Sequence, residues 1–63
     1  MSAQFRLADL TIEGGMTATM ERLYAETGSW EEVARRLLVE HGFRTSGQTL
    51  RRWAEQLGIG AAA

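Results

Sequence analysis

The chain has no cysteine, no proline, no lysine and no asparagine among its 63 residues. Without cysteine there can be no disulfide and no thiolate metal centre. With a single histidine, His41, a structural zinc site has no ligand set. Without proline, nothing in the sequence forces a helix to break in its interior. No apolar run approaches the ~18 residues of a membrane span, and the opening MSAQFRLADL lacks the charged and apolar blocks of a secretory signal. These absences predict a cytoplasmic chain with no membrane partner and no cofactor, held together by helix packing alone. A chain this short buries only about 60% of its unfolded surface, so each buried side chain carries weight.

All seven basic residues are arginine, set against eight acids for a net charge of −1. Their distribution is uneven. Arg44, Arg51 and Arg52 fall between Gly42 and Trp53 with no acid among them. Asp9, Glu13, Glu21, Glu26, Glu31, Glu32 and Glu40 all lie upstream. The total excludes strong global attraction to a polyanion, while the distribution makes the C-terminal third a basic surface on an acidic chain.

Hydrophobic spacing predicts an all-α fold of three helices. Met16, Met20, Leu23, Tyr24 and Thr27 make one stripe, ended by Gly28. Trp30, Val33, Ala34, Leu37, Leu38 and His41 make a second, ended by Gly42, with Phe43 expected to fold back on Leu38. Leu50, Trp53, Ala54 and Leu57 make a third, ended by Gly58, with Ile59 packing near Ala54. Ser29 with Glu32, and Thr45 with Gln48, have the spacing of capping boxes. Residues 42–45 then form a tight turn between the last two helices. Alternation of Phe5 and Leu7 with polar neighbours suggests an extended arm over residues 1–15, although Leu7 and Leu10 also suit a helical turn. The domain proper covers 16–59, and 60–63 is a disordered tail. Trp30 and Trp53 are read as core.

Around the third stripe the sequence becomes informative about function. Ser29–Leu37 (SWEEVARRL) and Ser46–Ile59 (SGQTLRRWAEQLGI) resemble helix-turn-helix segments of transposases and small bacterial and phage regulators. The resemblance runs from about Leu23 to Ile59. It implies a homeodomain-like trihelical domain whose last helix, about 46–57, enters the major groove of double-stranded DNA, in a regulatory protein of phage or mobile-element type. The chain departs from the pattern in one respect: Leu38–His41 lengthen the spacing between Ala34 and Trp53.

The residues themselves support a contact surface of this kind. Gln pairs with adenine and Arg with guanine through two hydrogen bonds each, so Gln48, Thr49 and Arg52 are the candidate base readers, with Thr45 beside them. Arg44, Ser46 and Arg51 are placed for phosphates. The competing reading for this face is a solvated surface on which Arg52 pairs with Glu55 or Gln48. No nucleophile, acid–base pair or phosphate loop is present, since Gly14-Gly15 lacks the Lys-Ser/Thr of that motif; the expected role is binding, not catalysis. His41 is read as structural. Glu31 and Glu32 suit a helix start.

Two further readings remain open. A helix-turn-helix fold can bind a host regulatory protein instead of DNA. Alternatively, Gln4–Leu7 could be the strand of a dimeric ribbon-helix-helix repressor. The apolar residues Phe5, Leu7, Leu10 and Ile12 point to packing across the helices or to a homodimer through the N-terminal arm.

Overall fold

The computed structural model describes residues 3–59. Within them the chain forms four helices: α1 (Ala3–Thr11), α2 (Met16–Thr27), α3 (Trp30–His41) and α4 (Gly47–Leu57). The all-α class is as expected, but the three-helix count is not. Within the segment read as an extended arm, Ala3–Thr11 is helical, because Phe5, Ala8 and Ile12 recur at helical spacing and all three are buried. The alternation of Phe5 with Leu7 is incidental: Leu7 and Leu10 lie on the outer face. Gln4–Leu7, the strand required by a ribbon-helix-helix, belongs to α1. The tail 60–63 lies outside the described residues.

α1 is fastened to α2 by a side chain. Gly15 occupies the N-cap of α2 and has no side chain to offer its amides. Asp9 supplies the missing acceptor from α1: its Oδ1 receives the Met16 N–H at 2.8 Å. A negative carboxylate at this end also suits the helix dipole. Gly14 and Gly15 turn the chain with φ of 86° and 87°, a region that costs glycine little.

One core unites the helices. Phe5, Ala8 and Ile12 meet Met16, Met20 and Leu23 of α2, Trp30, Val33 and Leu37 of α3, and Leu50, Trp53 and Ala54 of α4, closed by Ile59. Trp53 is a hub. Phe5 of α1 meets it edge-on at 5.2 Å between ring centroids, and Phe43 lies 6.4 Å away on another side. Tyr24 stacks on Trp30 at 4.3 Å, joining α2 to the start of α3. Edge-to-face and offset ring pairs are the favoured arrangements for aromatic quadrupoles.

The inward stripes differ from expectation in detail. Thr19 is buried in α2, its hydroxyl satisfied by the Gly15 carbonyl at 2.8 Å. Leu38, assigned inward, is 45% exposed. The Phe43 N–H closes the end of α3 on the Leu37 carbonyl at 3.1 Å, and its ring lies 6.4 Å from that of Trp53. The endings hold: Gly28, Gly42 and Gly58 are all left-handed, and the Ile59 N–H reaches back to the Ala54 carbonyl at 2.9 Å as a Schellman ending requires.

The largest departure is the link between α3 and α4. Residues 42–45 do not make a tight turn. Gly47 sits so close to the start of α3 that a Cβ on it would lie 3.0 Å from the Glu31 amide nitrogen. The N-terminus of α4 therefore abuts the N-terminus of α3. A twelve-residue helix such as α3 is about 18 Å long at 1.5 Å per residue. Gly42 turns the chain in the left-handed region, and residues 43–46 carry it back toward the start of α3.

Candidate nucleic-acid interface

The face of α4 opposite Leu50, Trp53 and Ala54 carries Gln48, Arg51, Arg52, Glu55 and Gln56, all exposed. Gln48, Arg52 and Glu55 stand four and three residues apart and form its outermost ridge. The bland pairing of this ridge is not seen: Arg52 makes no ion pair with Glu55 and no hydrogen bond with Gln48 among the described residues. Arg44 is exposed on the returning connector and is also without an ion-pair partner there.

Other expected members of the site are used by the fold. Ser46, not Thr45, is the N-cap of α4. Its Oγ accepts the Thr49 N–H at 3.2 Å and donates to Thr49 Oγ1 at 3.0 Å. The expected Thr45–Gln48 box does not form, because helix geometry begins at Gly47, whose missing side chain permits the close approach to Glu31. Thr45 and Thr49 are only half-exposed. Thr49 is thus tied to the Ser46 cap through both its amide and its hydroxyl. Gln48, Arg52, Arg51 and Arg44 remain as outward groups.

Arg51 is partly engaged. Its Nη2 lies 3.8 Å from Glu31 Oε2, with both side chains largely exposed. At that distance and exposure the pair is weak, and a phosphate could replace it. Glu31 itself lies where the first turns of α3 and α4 meet, a position favourable to negative charge. The expected Ser29–Glu32 capping box does not form either, since the Ser29 N–H goes to Thr27 Oγ1 at 3.4 Å. Ser29 is the N-cap, but its hydroxyl donates to Glu31 Oε1 at 3.1 Å and makes no cap bond.

Two further arginines, Arg22 and Arg36, show why a charge count misleads, whereas Arg6 and Arg35 are exposed and make no ion pair among the described residues. Arg22 and Glu26 of α2 form a closed ring of ion pairs with Arg36 and Glu40 of α3. Arg22 reaches Glu26 at 3.3 Å and Glu40 at 3.6 Å; Arg36 reaches Glu26 at 3.1 Å and also bonds Glu40. The hydrogen bond donated by Arg36 holds the Glu40 carboxyl below its ordinary range, and the bonds it donates to Glu40 and Glu26 raise the Arg36 guanidinium. Sequence reading missed this ring. Its two intrahelical pairs have the four-residue signature, but its two cross-helix pairs depend on tertiary packing.

His41 ends α3 with its Nε2 enclosed and without a hydrogen-bond partner. Among the described residues no cluster of His, Asp and Glu could hold a metal, and no helix is long and apolar enough to cross a membrane. No family model, curated protein or solved structure matches the chain.

Proposed function

We propose that the protein is a small DNA-binding regulatory protein that presents the outer face of α4 to the major groove. The observation that carries this reading is the division of the arginines. Arg22 and Arg36 are neutralised within the fold; of the exposed arginines without an ion pair among the described residues, Arg6 lies on α1 and Arg35 on α3, while Arg52 and Arg44 gather with the loosely held Arg51 around α4. Unneutralised arginine around an exposed glutamine supplies both phosphate attraction and base-edge hydrogen bonding. Gln48 and Arg52 are the base readers in this proposal, and Arg44 and Arg51 contact phosphates. Ser46 and Thr49 position the helix start instead of reading sequence.

Titration of a labelled random duplex at several salt concentrations tests the proposal. Affinity should fall with salt at a log–log slope near −0.9 for each phosphate neutralised. Binding that is absent even at low salt overturns it.

The exposure of Leu38 and Val39, at 45% and 75%, favours a second reading, in which the same fold docks on a host regulatory protein. Capture of a protein partner by a chain that ignores DNA would select it.

A further inference from the structure

Glu55 is the only acid on α4, and it stands on the face proposed to meet DNA. It is exposed, three residues beyond Arg52 and seven beyond Gln48, on the outermost ridge of the helix. A carboxylate at that spacing is within reach of the arginine. Yet Glu55 has neither an ion pair nor a hydrogen bond among the described residues. The buried Leu50, Trp53 and Ala54 fix which way this ridge points. It presents an amide, a cation and an anion in that order, none of them spent on the fold.

A carboxylate on such a face cannot serve as a phosphate contact, because like charges repel. One base edge in the major groove does suit it: the cytosine N4 amino group donates, and an ionised carboxylate only accepts. From Gln48 to Glu55 the helix rises about 10.5 Å at 1.5 Å per residue, which matches three base steps of about 3.4 Å. We infer that Glu55 is a specificity-determining residue that accepts a hydrogen bond from a cytosine amino group beside the guanine taken by Arg52. The preferred duplex then carries adenine, guanine and cytosine within about four base pairs, facing Gln48, Arg52 and Glu55. Thymine in place of the cytosine sets its O4 acceptor against the carboxylate and is rejected. Glu55 therefore adds discrimination at the expense of affinity for random duplex, the repulsive half of a specific interface. This inference rests on the DNA reading and goes beyond it by naming the class of duplex.

Selection of duplexes from a randomised pool by the whole chain tests it, followed by titration of the selected duplex and its single-pair replacements. At one pair of that duplex, exchanging cytosine for thymine should weaken wild-type binding about tenfold, as a mismatched pair in a specific site does. Glu55→Gln carries an amide that both donates and accepts, so it should bind the two duplexes within about threefold of each other. The same variant should bind random duplex more tightly than the parent, with a parental melting curve as the check on folding. A Glu55→Gln chain that still rejects thymine as strongly as the parent overturns the inference and leaves DNA binding standing. So does a wild type that binds duplexes without enriching any cytosine. A wild type that binds no duplex at low salt overturns both.

Discussion

The α2–α3 seam and the α3–α4 junction use the same residue types to different ends. At the seam, two arginines and two glutamates close a ring and Tyr24 stacks on Trp30, so charge and aromatic surface are consumed in holding two helices together. At the junction the binding is apolar and steric: Leu50, Trp53 and Ala54 pack inward, Phe43 covers Trp53, and Gly47 admits the close approach to Glu31. The arginines there are left pointing outward. Satisfied charges tell about architecture; unsatisfied charges beside a well-packed helix tell about partners.

The comparison fails first if α4 is not anchored as described. Trp53→Ala should cost about 3–5 kcal/mol, as large aromatic truncations in a core do. That is comparable with the whole stability of so short a chain, and loss of the cooperative melt followed by circular dichroism is the expected result. A variant melting like the parent would remove Trp53 from the hub. Gly47→Val tests the junction more narrowly. The added side chain meets the Glu31 backbone as well as its carboxylate, so a loss of about 1–3 kcal/mol is expected in denaturant unfolding. Unchanged stability would mean that the two helix starts are not in contact.

Asp9→Ala removes the acceptor at the start of α2 and should cost about 1 kcal/mol, in the range of N-cap deletions. Since Asp9 lies on α1, the same variant should speed amide exchange of Met16. The functional half of the comparison is sharpened by Arg51→Ala/Arg52→Ala. It should leave the melting temperature nearly unchanged while lowering duplex affinity, with the salt slope flattened by about one phosphate's worth through Arg51. Equal affinity for parent and variant would dissociate the outward arginines from any role with DNA.

The smallest effect expected is at the ion ring. The Glu40 carboxyl is held below its ordinary value in the fold, chiefly by its hydrogen bond with Arg36. Its contribution is therefore complete above the unfolded carboxylate range and is lost as pH falls through the depressed folded value. The parent should lose a little more stability on acidification than Glu40→Gln does. Parallel pH–stability curves for the two proteins would show that the ring does not act in solution.

Much of this was readable along the chain, and the part that was not has a physical pattern. The inward stripes at Met16–Met20–Leu23, Trp30–Val33–Leu37 and Leu50–Trp53–Ala54 follow from helical periodicity, which is a local property. The left-handed endings at Gly28, Gly42 and Gly58 follow from the freedom of a residue without Cβ. Gln48, Arg51 and Arg52 are outward for the same periodic reason. The α1 segment was ambiguous because nine residues are too few to separate a period of two from one of 3.6 when several positions are apolar.

Local sequence thus determined which faces of the last three helices are apolar and where those helices stop, because both depend on neighbours within a turn or two. Tertiary structure alone decided the rest. It gave Asp9 to the amide of Met16, made Ser46 the cap in place of Thr45, and closed the ring that neutralises Arg22 and Arg36. It also sent residues 42–46 back along α3 to the Glu31 end. A hydrogen bond or ion pair goes to whichever partner lies within about 3 Å, and which group that is depends on how the helices pack, a relation that spacing along the chain does not contain.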